Sequence, residues 1–90
     1  MEKNFERIAE IFKALSNPIR LKILFYLAQN KCNVTNLENV LNISQSRVSQ
    51  HLRVLRLCGI IKPKRNGKQI CYDIANPDVR KLILSFFGEK

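Results

Sequence analysis

Residues 35–74 read TNLENVLNISQSRVSQHLRVLRLCGIIKPKRNGKQICYDI, and this stretch decides the fold. It opens with Thr35 and Glu38, a capping box that predicts a short helix over 35–41 with Leu37, Val40 and Leu41 facing inward. Asn42-Ile43 makes a turn, and Ser44 caps a second helix over 45–57. Ile43 before that cap and Val48 four positions after it form a hydrophobic staple, which sets the entry angle of the helix. The second helix buries Val48, Leu52 and Leu55, and Gly59 supplies the left-handed residue that stops it. A hairpin follows. Asn66-Gly67 is a two-residue type I′ turn signal, which sets Arg65 opposite Lys68, Lys64 opposite Gln69 and Pro63 opposite Ile70. Alternation puts Ile61, Ile70, Tyr72 and Ile74 on one face, and Pro63 needs the edge position that a two-stranded ribbon provides. The ribbon tip is Lys64-Arg65-Asn66-Gly67-Lys68.

Outward from this core, the pattern is helical. Phe5, Ile8, Phe12 and Leu15 recur at helical spacing over 2–15. Asn17-Pro18 ends that helix and starts one over 19–30, which is apolar nearly all round and so reads as the central helix. Asn76-Pro77 opens a last helix to about residue 87, with Val79, Leu82, Ile83, Phe86 and Phe87 apolar. The expected fold class is mainly α with a small β-hairpin wing: four helices, two strands and a fifth helix. Two short helices joined by a tight turn, with a basic ribbon after the second, describe a winged helix-turn-helix. Ninety residues make one domain of this kind, 1–90, expected to hold both DNA-binding and dimerisation surfaces.

The charge is unevenly placed. Sixteen Lys and Arg against seven Asp and Glu leave +9, which points to a polyanionic partner. Glu38 and Asp73 are consecutive acids, and between them lie Arg47, Arg53, Arg56, Lys62, Lys64, Arg65 and Lys68. A merely solvated face would intersperse acids among its bases, so an uninterrupted run of cations reads as a surface for phosphates. On the 45–57 helix, Gln45, Ser46, Arg47, Ser49, Gln50 and Arg53 lie outward or on the flanks. Gln and Arg can make two hydrogen bonds to one base edge in the major groove, and Ser can bond a base or a phosphate. At the tip, Lys64, Arg65 and Lys68 are placed to follow a phosphate backbone.

ALSNPIRLKIL, then ISQSRVSQHLRVLRLCGIIKPKRNGKQICYDI, resembles the ArsR/SmtB family of winged-helix repressors over nearly the whole chain, about residues 5–87. The resemblance implies a homodimer that represses by binding double-stranded operator DNA and is released by a metal ion or another signal. It places the usual DNA contacts on Gln45, Ser46, Ser49 and Gln50. The apolar side chains of Phe5, Ile8, Phe12, Leu82, Ile83, Phe86 and Phe87 exceed what a core of this size covers, so they are the expected dimer interface.

The sensor is where the chain departs from that pattern. The family's thiolate box, Glu-Leu-Cys-Val-Cys-Asp-Leu, aligns with KCNVTNL, which puts Asn33 and Thr35 at the two cysteine positions and Cys32 at a Leu. The other family site uses Asp-x-His near the start of the last helix; Asp78 is present, but Arg80 replaces the His. Zinc takes three or four N, S or O ligands, so neither metal site can be assembled, and no metal or other cofactor is expected. The three cysteines are too few for a disulfide framework. Cys58 falls on the inward stripe as a small hydrophobe, while Cys32, beside Lys31, and Cys71, on the ribbon opposite Lys62, are the candidate redox thiols. The lone His51 has no nucleophile and orienting acid around it and reads as a packing or phosphate-contacting residue.

An enzyme is not expected, since neither a Gly-rich phosphate loop nor paired catalytic carboxylates are present. No apolar run approaches the ~20 residues of a membrane span, and the charged start MEKNFERIAE is not a signal peptide, so a cytoplasmic protein without a membrane partner is expected. Two alternatives share the fold: a thiol-responsive repressor, and a basic protein-interaction module that does not bind DNA.

Overall fold

A computed structural model of the chain describes residues 3–29, 37–67 and 69–88. The elements are α1 (Phe5–Leu15), α2 (Pro18–Ala28), α3 (Leu37–Leu41), α4 (Gln45–Leu57), β1 (Ile61–Asn66), β2 (Gln69–Ile74) and α5 (Pro77–Phe87). Side-chain caps set most of the helix starts. Asn4 accepts from the Arg7 amide, Asn17 from Ile19 and Arg20, Ser44 from Arg47, and Asn76 from Asp78 and Val79. Because Asn4 is the cap, α1 begins at Phe5 rather than at residue 2. Thr35, which opens the expected capping box, lies outside the described residues, as does Cys32.

α2 is the core of the domain. Ile23, Leu24 and Leu27 are fully or almost fully buried, and they pack with Leu15, Leu37, Val48, Leu55, Ile60, Ile61, Val79 and Ile83 in one cluster. α3 settles on that cluster by Leu37, with Leu41 half-buried beside it. Val40, expected inward, is 60% exposed instead: a five-residue helix resting on Leu37 and Leu41 turns Val40 to solvent. Asn42 takes the left-handed conformation, φ 58°, that turns the chain between α3 and α4.

α4 ends in a Schellman motif. Gly59 has φ 72°, its amide bonds the Arg56 carbonyl at 2.9 Å, and the Ile60 amide reaches back to the Leu55 carbonyl at 3.0 Å. Ile60 and Leu55 are both fully buried, the apolar contact that accompanies this cap.

The hairpin differs in register from the expected one. Asn66 pairs with Gln69, Arg65 with Ile70, Lys64 with Cys71, Pro63 with Tyr72, Lys62 with Asp73 and Ile61 with Ile74. The link is therefore Gly67-Lys68, not Asn66-Gly67, with Gly67 at φ 65° in the first turn position. Two facts favour this register. Glycine at the first position satisfies a two-residue turn on its own, so Asn66 is free to pair. The shift also sets buried Ile61 opposite buried Ile74 at the ribbon's base, where the expected register leaves Ile74 without an apolar partner. A two-residue shift does not change faces, so Ile61, Tyr72 and Ile74 share one in either register; the side chain of Ile70 lies outside the described residues.

Two further placements correct the sequence reading. Ile83, expected in the dimer interface, is 1% exposed and belongs to its own chain's core. Cys71, expected as an accessible ribbon thiol opposite Lys62, pairs with Lys64 and is completely buried. β2 as a whole packs onto α2 and α5. Cys58, the helix cap of α4, is half-buried against the core.

Candidate nucleic-acid interface

α4 shows two chemically opposed faces. Val48, Leu52 and Leu55 are buried, whereas Gln45, Ser46, Arg47, Ser49, Gln50 and Arg53 are all exposed. The only hydrogen bond drawn among these outward side chains is a long one, Gln45 Nε2 to Ser49 Oγ at 3.5 Å. Most donors and acceptors of the face thus remain available to a partner. The ribbon presents Lys62, Lys64 and Arg65 to solvent. Lys68, the fourth expected contact at the tip, lies outside the described residues. The exposed face of α4 and the exposed part of the ribbon carry no acid. An α-helix fits the major groove of a duplex, and a basic ribbon beside it reaches the adjoining phosphates.

His51 sits on the flank of α4 and is half-buried. Arg20, in the first turn of α2, donates from Nη1 to His51 Nδ1 at 3.2 Å and from Nε to the Ala14 carbonyl at 2.6 Å. Burial, then the charges of Arg20 and Arg47, hold the imidazole below its ordinary value of 6.5. The sequence reading missed Arg20 altogether; its only available signal was a cation in the first turn of an otherwise apolar helix.

Arg80, at the position where the family carries a histidine, is committed elsewhere. Its Nη2 donates to Asp73 Oδ1 on β2 at 2.9 Å, and its Nη1 to the Ala28 carbonyl at the end of α2 at 3.4 Å. A guanidinium already holding a carboxylate cannot ligate a metal. Among the described residues, no three His, Cys, Asp or Glu side chains come close enough together to hold one.

Of the residues expected at a dimer interface, Phe12, Leu82, Phe86 and Phe87 line one apolar groove, whereas Phe5 and Ile8 lie outside it. Phe5, Ile8, Phe12, Phe86 and Phe87 are exposed, Phe5 and Phe86 each at 76%. Phe12 and Leu15 of α1 face Leu82, Phe86 and Phe87 of α5 across an apolar groove floored by Leu21 and Ile83. The Phe87 ring also packs against Phe25, with centroids 5.6 Å apart.

This arrangement is that of a winged helix-turn-helix, and comparison with known proteins assigns it. Residues 17–62 match the family described as bacterial regulatory protein, arsR family. A biofilm growth-associated repressor from Agrobacterium fabrum is 39% identical over 88 residues, covering 98% of this chain and 75% of the relative. The structure of HlyU from Vibrio cholerae, a transcriptional activator, superposes with a TM-score of 0.82 at 32% identity, covering 96% of this chain and 94% of that one. A homodimeric winged helix-turn-helix DNA-binding domain from Mycobacterium bovis superposes with a TM-score of 0.79 at 31% identity, covering 90% and 75%. The chain belongs to the arsR family of bacterial regulatory proteins. It is a DNA-binding transcriptional regulator, a class whose members are not enzymes. No described helix is long and apolar enough to cross a membrane.

Proposed function

We propose that the chain, acting as one domain in the cytoplasm, is a homodimeric repressor that binds a specific double-stranded operator and is not released through its family's metal sites. The observation that carries this reading is the acid-free, largely uncommitted polar face of α4 beside the basic ribbon. Gln45, Ser46, Ser49 and Gln50 read base edges, with Arg47 and Arg53 flanking them. Lys64, Arg65 and Lys68 hold the phosphates. The Phe5, Ile8, Phe12, Leu82, Phe86 and Phe87 side chains pair with the same surface of a second copy. A repressor relative and a homodimeric structural neighbour support the two halves of this reading. Two-fold symmetry then places two α4 helices about one helical turn of DNA apart, which predicts a palindromic site.

The test is selection of binding sites from a random duplex library, with sedimentation of the same sample. A palindromic consensus bound by a dimer is expected. Binding that shows no sequence preference, or a monomer at micromolar concentration, would overturn the reading.

A further inference from the structure

α1 and α4 are linked by side chains at two places. At its C-terminal end, α1 has carbonyls to satisfy: those of Phe12 and Lys13 accept from Ser16, and that of Leu15 accepts from the Asn17 amide. The Ala14 carbonyl is taken by Arg20 Nε, and the same guanidinium spans to His51 in the middle of α4. Toward the other end of α1, the Arg7 guanidinium lies over the cap of α4, so close that a Cβ on Gly59 would sit 3.0 Å from Nη2. The two links take residues 7 to 14 and 51 to 59 in opposite order: Arg7 reaches the end of α4 and Ala14 is tied to its middle.

The proton arrangement of the inner link follows from its chemistry. A guanidinium has donors only, so His51 Nδ1 has to accept, and the neutral ring carries its proton on Nε2. A half-buried ring between the Arg20 and Arg47 charges is held in that neutral form. Arg20 is half-buried, with two of its nitrogens occupied, which fits a brace better than a phosphate contact.

We propose that Arg20 is a positioning residue for DNA recognition, fixing α4 through His51 against the end of α1. This inference rests on the DNA-binding reading of α4. It adds that the helix proposed to pair the two copies also sets the angle at which each α4 enters its groove.

The test uses the full chain and the duplex selected as above. Arg20→Met is expected to weaken binding about tenfold, the worth of one hydrogen bond to a charged group, with no change in the log–log salt slope. His51→Phe, which keeps the ring volume but removes the acceptor, should lose about as much, and the double variant no more than either single one. His51→Asn places an amide oxygen near the position of Nδ1 and should restore affinity to within about twofold of wild type. Imidazole nitrogen shifts of the free protein at neutral pH should report Nε2 protonated and Nδ1 bare, and this readout holds even if Arg20→Met fails to fold. A salt slope reduced by about 0.9 per copy would make Arg20 a direct phosphate contact and overturn the proposal. Additive losses in the double variant, a proton on Nδ1, or unchanged binding by Arg20→Met would each overturn it too. A wild-type chain that bound no duplex would instead refute the DNA-binding reading itself.

Discussion

Replacing Lys64 by alanine tests how the helix and the ribbon divide their work. Lys64 is exposed, so its substitution removes a surface charge. In a homodimer each copy loses one phosphate contact, so two contacts are lost per complex and the salt slope should flatten by about 1.8. Between 50 and 200 mM salt, a fourfold change, the affinity ratio of wild type to variant should therefore shrink by about twelvefold. Gln50→Ala should behave in the opposite way. It should cost about 1–3 kcal/mol per copy on the selected sequence, little on random DNA, and leave the slope alone, because base contacts specify and phosphate contacts position. Fluorescence anisotropy of labelled duplexes over a salt series measures both quantities. A ribbon variant that changed the preferred bases, or a Gln50 variant that flattened the slope, would refute the assignment of α4 to the groove.

Phe86→Glu places a charge on the most exposed part of the α1–α5 surface and should convert the dimer to a monomer at micromolar concentration, read by sedimentation. Gly59→Ala forces a side chain into a left-handed residue and against the Arg7 guanidinium. It should lower stability by about 1–2 kcal/mol in chemical denaturation. The pKa of His51 is lower in the folded chain than the ordinary 6.5, so its contribution to stability is whole above that value. It is lost as pH falls below 6.5 and through the folded value; thermal melting from pH 7.5 to 5 should show the decline, and His51→Asn should remove that component. Micromolar zinc, cadmium or arsenite should leave the DNA complex intact in gel-shift titrations, since Asn33, Thr35 and Arg80 stand at the ligand positions of the resembled family.

Much of this architecture was legible because short polar signals fix chain direction. Asn17-Pro18, Ser44, Gly59 and Asn76-Pro77 each mark a helix boundary by local chemistry, and each stands where local chemistry puts it. The failures are all questions that one-dimensional pattern cannot ask. Alternation fixes which face a ribbon residue occupies but is blind to a two-residue shift, so the turn was placed one residue early. Helical spacing groups Ile83 with Phe86 and Phe87, yet only the position of α2 decides that Ile83 goes under the surface and Phe86 stays on it. Cys71 stands beside a cation in either register, Lys62 in the expected one and Lys64 in the observed one, which reads as an accessible thiol; strand pattern alone does not show that the fold buries it completely. The Arg20–His51 link joins residues 31 apart in sequence and leaves no periodic trace.

Only Cys58, Gly59 and Ile60 separate α4 from β1, and these three residues are held by a helix cap, a left-handed turn and a buried side chain. There is no slack in that joint. On the proposed reading, helix and ribbon are two arms of one gauge, and the span of duplex they measure is set where they meet. An extra residue at 58–60 would swing the whole ribbon away from the groove beside α4, while extra residues at Gly67, which touches nothing that a side chain would meet, would only lengthen one arm. Descendants of this sequence that bind longer or shorter sites are therefore expected to differ in length at the tip and to keep the corner unchanged.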